Sequence, residues 1–336
     1  MSSKTYGIAL IGCGCMGEAH LNDMYFKENV SIEYVCDLDE ARTHDFANRF
    51  NAKHTTLDYH QVLQDPAVDI VIIATYPNTH LEILKACIDA GKHVLCEKPL
   101  ASSLEEGAEM VRLVKEHPEC KVLIGYILRH NKTYQKVAEM IQSGAIGKPV
   151  IMRMVQNHHT MDWNKYLSLI KSTSPLIDCG VHYVDVMHWF TGATITELNA
   201  IGLKTEADVP DGKYNFGMLT AKLSDGSVGY YEVGWSNTMA SCNTKEFVGP
   251  KGRISITYQD NRFNHHEEGD LIEYYRYPEK TYEMINLLSK RKPTGDQLEA
   301  LIDMIENNSP GTPTIDDVWK SYEQVFKADE IIKKGL

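Results

Sequence analysis

Among its 336 residues the chain has no two cysteines spaced C-x-x-C, although eight are scattered at 13, 15, 36, 87, 96, 120, 179 and 242. Without that spacing, neither a disulfide framework nor a cysteine zinc module is indicated, and reduced thiols packed as small apolar groups are expected. No apolar stretch approaches the roughly 18 to 20 residues that a membrane span requires. Met1 to Tyr6 carries one lysine and leads into a short apolar run broken by glycines, too short for a secretion signal, so a cytoplasmic protein is expected. Positive charge is in deficit, 34 Lys and Arg against 46 Asp and Glu, for a formal charge of −12. That balance disfavours nonspecific attraction to nucleic-acid phosphates or anionic lipid, though one lysine in a cleft still binds an anion. Internal repeats, low-complexity tracts, long linkers and an HExxH motif are absent as well.

What is present is an ordinary globular composition, 43% hydrophobic and 24% charged, in a chain longer than one core usually supports. Two domains are expected. In the first 125 residues, apolar runs at 7–11, 31–36, 69–74, 93–96 and 122–125 alternate with helical patterns at 18–26, 40–50, 79–90 and 103–116. Near-continuous apolar strands alternating with helices imply a doubly wound α/β layer with a parallel sheet covered on both faces. From Tyr126 onward the pattern changes. A helix is expected from Thr133 to Ser143, a strand from Val150 to Asn157, and an irregular stretch from Met161 to Thr173. Ser174-Pro175 reads as an N-cap with proline at the first helical position, opening a helix to Phe190. Strands follow near 195–204, 214–223, 228–236, 243–249 and 252–258, with Asp225-Gly226 a hairpin turn. Two closing helices span about 295–307 and 314–334. The expectation is a domain at 1–125 and, at 126–336, an α+β domain with an open, largely antiparallel sheet.

Gly12-Cys13-Gly14-Cys15-Met16-Gly17 follows the first strand directly and opens the first helix. G-x-G-x-x-G is weak by itself, but this context is that of a Rossmann phosphate loop. Gly12 permits the tight turn, Gly14 lets the backbone approach a pyrophosphate, and Gly17 allows close helix–strand packing. Cys15 and Met16 complete the cofactor-binding loop, and the helix N-terminus offers N–H groups and a favourable dipole to phosphate. Asp37 lies 20 positions beyond Gly17, at the end of the second strand, where a carboxylate accepts from ribose hydroxyls and repels a 2′-phosphate. NAD is therefore expected over NADP. Arg42, one turn into the next helix, is the residue available to a 2′-phosphate, or else lies on a solvated face.

Two further strand ends carry polar residues, Thr75-Tyr76-Pro77-Asn78-Thr79-His80 and Glu97-Lys98-Pro99. Ligands of open α/β sheets bind beyond the carboxyl ends of strands, so both segments should line the cleft. With GIALIGCGCMGEAH, ATYPNTH, EKP, GYILRH (125–130) and DCGVHYVD (178–185) in view, the chain resembles, essentially end to end, the glucose–fructose oxidoreductase, inositol dehydrogenase and rhizopine-catabolism (Gfo/Idh/MocA) family. The resemblance implies an active site lined by Lys98, Asp178 and His182, and a cis bond before Pro99. Cofactor contacts are expected from Thr75, Pro77, Asn78, His80, Glu97 and Lys98, with Asn78 and His80 at the nicotinamide end or else capping the helix that follows, and the resemblance implies a homodimer or homotetramer associating through the open sheet.

The residue chemistry fits that implication. A histidine titrating near neutrality suits removal of a hydroxyl proton, and an ammonium donating to the same oxygen stabilises developing alkoxide. Asp178 and His182 stand four apart, on one face of a helix, with Asp185 on the same side. Tyr126 and Arg129 are expected where the domains cross, within reach of substrate. Asn157, His158, Asp162 and Trp163 follow a strand that approaches the cleft, Trp163 suiting a sugar face or the core. The expected activity is NAD-dependent oxidation of a secondary hydroxyl of a sugar, glycoside or cyclitol, leaning on family habit toward carbon 3 of a glucose-like ring. Inositol oxidation, a non-catalytic NAD sensor, and recycling of a retained cofactor are the alternatives. His158, His159, Asp178, His182 and His188 crowd one stretch, but His182 and His188 are six apart and face different sides, so no metal is expected. One departure stands out: Lys171-Ser172-Thr173-Ser174-Pro175 replaces the glycine-rich run common before the helix aspartate, which leaves the substrate open.

Overall fold

Residues 4–160, 162–261 and 269–336 are described by the structure, a computed structural model. They divide into two compact units, one of residues 1–130 with 292–319 and one of 131–291 with 320–336. The first is built on β1 (Tyr6–Ile11), β2 (Val30–Cys36), β3 (His54–Thr56), β4 (Ile70–Ile73), β5 (His93–Cys96) and β6 (Val122–Ile124). These pair in parallel in the order β3-β2-β1-β4-β5-β6, a doubly wound sheet whose order reverses beside β1. All six residues of β1 and all four of β4 are buried, because helices cover both faces. The connecting helices are α1 (Cys15–Met24), α2 (Glu40–Phe50), α3 (Tyr59–Gln64), α4 (His80–Asp89) and α5 (Leu104–Glu116).

A helix far along the chain, α9 (Thr294–Asn307), completes this core: Leu298, Leu301, Ile302 and Met304 pack with Ile8, Leu10, Leu21 and Met24. Its start is tied to α1, with Thr294 Oγ1 donating to the Ala19 carbonyl at 3.0 Å and the Gly295 N–H to Asp23 Oδ2 at 3.2 Å. A division into 1–125 and 126–336 therefore does not describe the packing. Residues 292–319 return to the first unit because their apolar face is complementary to α1 and one face of the sheet, a match between positions nearly 300 apart that local patterning does not carry.

The second unit holds α6 (Lys132–Gln142), β7 (Ile151–His159), α7 (Trp163–Ser172), α8 (Pro175–Thr191), β8 (Ile195–Leu203), β9 (Phe216–Leu223), β10 (Val228–Ser236), β11 (Cys242–Gly249), β12 (Gly252–Thr257), β13 (Asp270–Arg276), β14 (Thr281–Leu287) and most of α10 (Ile315–Gly335). Among the described residues the sheet runs β14-β13-β12-β11-β7-β10-β9-β8, antiparallel except for β7 beside β10. The Asp225-Gly226 turn is present, with Gly226 at φ +83° and Asp225 Oδ1 accepting from the Ser227 N–H. Helix α8 lies on the sheet, and Gly229 makes room for it: a Cβ there would stand 2.9 Å from Met187 Cε.

Five elements escape the sequence pattern, the short β3 and α3 together with α7, β13 and β14. Helix α7 occupies the stretch expected to be irregular; Asp162 caps it by accepting from the Lys165 N–H at 3.2 Å. Strands β13 and β14 bear charges where alternation leads one to expect apolar residues. Cross-strand pairs stabilise them instead, Arg253–Glu273 at 2.8 Å and Tyr275 against Tyr282 with ring centroids 4.9 Å apart. No helix among the described residues is long and apolar enough to cross a membrane.

Candidate active site

In the first unit the loop after β1 is shaped by its glycines in three different ways. Gly12 has φ +104°, and a Cβ on it would meet the Ala74 carbonyl oxygen at 2.5 Å, so neither the turn nor β4 tolerates a side chain. A Cβ on Gly17 would lie 2.1 Å from the Gly12 carbonyl oxygen, which makes it the contact between α1 and the loop. Gly14 is different: nothing stands within 4 Å of the Cβ it lacks. No protein packing demands glycine there, and the open face beside the first turn of α1 fits a phosphate-bearing ligand approaching the backbone. Cys15 is exposed and Met16 half-buried on that turn. Cys13 points inward, and burial, reinforced by Asp37, pushes its thiol up to about 12.

Asp37 is the loop's second strut. Its Oδ2 accepts the Cys13 N–H at 2.7 Å and its Oδ1 the Asp39 N–H at 3.0 Å, which leaves each oxygen a lone pair for a ribose hydroxyl. Arg42 pairs with Asp39 at 3.3 Å on an exposed face, with 59% of its side chain accessible. Thr75 and Thr79 share a hydroxyl–hydroxyl bond of 2.7 Å, Pro77 opens a single 3₁₀ turn, and Asn78 is exposed on it.

Two side chains expected at the cofactor are held inside the protein instead. His80 is fully buried, with Nδ1 3.1 and 3.3 Å from the Pro99 and Leu100 carbonyls and Nε2 3.2 Å from the Thr75 carbonyl. Glu97, 4% exposed, faces His20 of α1, Oε1 to Nε2 2.7 Å. Burial raises its carboxyl, but the His20 hydrogen bond and charge, with Lys98 adding to them, hold it below the ordinary range. The low dielectric makes an unpaired polar group costly, so both side chains serve the turn around Lys98, which is half-buried and joined to Pro99 by a cis bond. Tyr126 is likewise enclosed, its hydroxyl 3.5 Å from the Val318 carbonyl, and the buried Arg129 lies 4.0 Å from Asp317.

In the second unit α8 carries Asp178 and His182, both half-buried, one turn apart. Ser174 caps the helix as expected, Oγ accepting from the Ile177 N–H at 3.1 Å, and also receives the Tyr214 hydroxyl at 2.9 Å. Cys179 donates to Asp178 Oδ2 at 3.5 Å. His158 of β7 is shifted down by burial first, then by the positive charges of Arg291 and Lys245, with Asp178 opposing. Asp178, His158, Arg291 and Lys245 therefore share one electrostatic neighbourhood.

Asn157 does not share it. Successive strand residues point to opposite faces, and Asn157 turns away from His158 to donate to Glu232 Oε1 at 2.6 Å. Trp163 occupies the first turn of α7 with its indole N–H donated to Asp208 at 2.6 Å, Asp185 is buried, and His188 bonds the Ala193 carbonyl at 2.9 Å. Among the described residues no group of three or more His, Cys, Asp or Glu is placed to hold a metal ion.

Lys245 is the residue that sequence reasoning passed over. It is 1% exposed, donates to the Val155 carbonyl at 2.6 Å and to Asn243 Oδ1 at 2.7 Å, and sits 4.5 Å above the Tyr183 ring. Burial pushes it down to about 7. The signal was in the alternation of β11: Lys245 shares its face with Phe247, so the strand period turns it inward. Beside it Tyr134 and Tyr258 share a hydroxyl–hydroxyl bond of 2.6 Å.

Comparison with known proteins agrees with both units. The model described as "Oxidoreductase family, NAD-binding Rossmann fold" matches residues 6–126, and that described as "GFO/IDH/MocA C-terminal domain" matches residues 134–255. The chain is similar to the myo-inositol 2-dehydrogenase of Thermotoga maritima, 26% identical over 251 residues, covering 74% of each chain. It is also similar to the inositol 2-dehydrogenase of Acidothermus cellulolyticus, 25% identical over 256 residues, 76% of this chain and 74% of that one. In fold it matches the myo-inositol 2-dehydrogenase of Lactobacillus plantarum, TM-score 0.82 at 21% identity, over 99% of this chain and 98% of that one. The scyllo-inositol dehydrogenase of Lactobacillus casei, solved with bound NAD(H) and scyllo-inositol, gives TM-score 0.80 at 21% identity over 99% and 98%.

Proposed function

The chain belongs to the GFO/IDH/MocA oxidoreductase family, and from that premise we propose that it oxidises a secondary hydroxyl of a cyclitol or related sugar to a ketone, with NAD⁺ as the oxidant. The observation that carries the reading is the phosphate loop whose Gly14 face is open, braced by Asp37 at the end of β2. The main-chain N–H groups of Gly14, Cys15, Met16 and Gly17 would hold the pyrophosphate, Gly12 making the turn with its own N–H on the Cys36 carbonyl, and Asp37 would hold the adenosine ribose, which selects NAD⁺. When bound, the nicotinamide supplies the hydride acceptor.

The chain's own side chains handle oxygen and proton. We assign to Lys98 donation of an ammonium N–H to the reacting hydroxyl oxygen, which stabilises alkoxide character as it develops. His182 takes the hydroxyl proton as general base. Asp178, one turn earlier on α8, accepts from a neighbouring hydroxyl and favours the charged form of His158. The names of the related proteins favour a cyclitol over carbon 3 of a glucose-like ring, so a glycoside oxidised at that carbon is the competing arm of the test.

The test is a dehydrogenase assay of the full chain with NAD⁺ or NADP⁺ over myo-inositol, scyllo-inositol, glucose and glucosides, with the product's carbonyl located by NMR. Fastest NADH formation with a cyclitol is expected. Tight NADH binding with no turnover across the panel would replace the enzyme by a non-catalytic sensor. Fastest turnover of a glucoside, with the carbonyl at carbon 3, would replace the cyclitol.

A further inference from the structure

The buried His20–Glu97 pair lies outside the chemistry proposed above, yet it joins the phosphate-loop helix to the residue before Lys98. We propose that His20, acting through Glu97, is a positioning residue for Lys98, tying α1 to the Lys98–Pro99 turn so that the ammonium keeps its place. This rests on the assignment of Lys98 as the group that stabilises the alkoxide.

The geometry is two-handed. Glu97 Oε1 meets His20 Nε2 at 2.7 Å, while Oε2 turns back to accept the main-chain N–H of Lys98 at 3.2 Å. One carboxylate thus fixes the peptide plane entering Lys98. The far side of the turn is held by His80, whose Nδ1 lies 3.1 Å from the Pro99 carbonyl. Space for the carboxylate is made by Gly125, where a Cβ would stand 3.2 Å from the carboxyl carbon and from both oxygens. His20 projects from the inner face of α1 together with Gly17, Leu21 and Met24, so it belongs to the helix whose first turn borders the phosphate loop.

Charge makes the arrangement more than packing. The groups that hold the Glu97 carboxyl down are His20, from α1, and Lys98. From α4, His80 feels the Glu97 charge, and on β5 the Cys96 thiol is pushed well up by burial and by that same carboxylate. A carboxylate inside a protein needs a partner. With His20 in place, Glu97 Oε1 is hydrogen-bonded from the α1 side while Oε2 holds the Lys98 main-chain N–H. Without it, the carboxylate draws the Lys98 ammonium toward itself.

Competitive acetylation of the full chain with acetic anhydride, read at Lys98 by peptide mass spectrometry across pH, measures the consequence directly. His20→Ala is expected to raise the Lys98 acetylation midpoint by about one pH unit, and His20→Gln, which restores an N–H donor, to return most of it. Glu97→Gln removes the negative charge and is expected to move the midpoint down. In the double variant His20→Ala/Glu97→Gln, the effect of the histidine should vanish. A Lys98 profile identical in wild type, His20→Ala and Glu97→Gln, with only the melting temperature lowered, overturns the proposal. If the alanine variant does not fold, the Glu97→Gln profile decides alone. NADH binding by fluorescence on the same samples keeps the two readings apart: its absence in wild type sinks the proposed function but not the Lys98 measurement.

Discussion

Replacing Lys245 by methionine removes an ammonium from the inside of the second unit while keeping most of the volume. A lysine lowered from 10.5 to about 7 by burial corresponds to roughly 5 kcal/mol of cost for holding the charged form in the folded chain. Against this, methionine forfeits the bonds to Val155 and Asn243, each about 1–2 kcal/mol net, and the contact with the Tyr183 ring. The net expectation is a variant more stable than wild type by about 1–3 kcal/mol near pH 6. The sign with pH follows from proton counting. Between about 7 and 10.5 the unfolded chain keeps the Lys245 proton and the folded chain has lost it, so wild-type stability rises with pH across that window. The methionine variant lacks this term, and its advantage should be fully present below pH 7 and disappear toward pH 10. Paired urea denaturation curves at pH 6, 8 and 10 measure it. A variant less stable than wild type at pH 6, or a difference flat across pH, would falsify the claim that burial of charge dominates at this position.

Gly14→Ala should melt within a degree or two of wild type, since its Cβ enters open space, yet weaken NADH binding at least roughly tenfold, whereas Gly17→Ala should lose stability through its clash with the Gly12 carbonyl. Equal melting losses in both, by scanning fluorimetry, would contradict the distinction. Asp37→Ala should reduce the NAD⁺/NADP⁺ ratio of kcat/KM by roughly ten- to a hundredfold; an unchanged ratio removes Asp37 from cofactor choice. Lys98→Ala and His182→Ala should each lower kcat by roughly 10²–10⁴ with NADH affinity retained, and near-wild-type turnover in either strikes that residue from its role.

The loop at 12–17, Asp37 and the EKP turn were legible because each is local. A glycine spacing, an acidic residue at a strand end and a tripeptide all lie within single βα units, where chain direction alone decides which residues reach the strand's carboxyl end. The cap at Ser174 and the Asp225-Gly226 turn were legible for the same reason. Sequence spacing was also enough to put Asp178 and His182 on one face of α8. It failed where side-chain direction decided: Asn157 and His158 are neighbours in sequence but serve opposite faces of the sheet.

The sequence by itself determined the two architectures, the parallel character of the first sheet with its alternating helices, and the places of the glycine loop, the EKP turn and the Asp178–His182 face on those elements. Those depend on hydrophobic period and turn chemistry, which are short-range. Tertiary structure alone decided that 292–319 completes the first core, that Glu97 and His80 brace the Lys98 turn from within, and that Lys245 is a buried cation above Tyr183. Each of those facts is a pairing across many residues, set by which apolar faces fit and which buried charges find partners, and no local pattern encodes the partner's address.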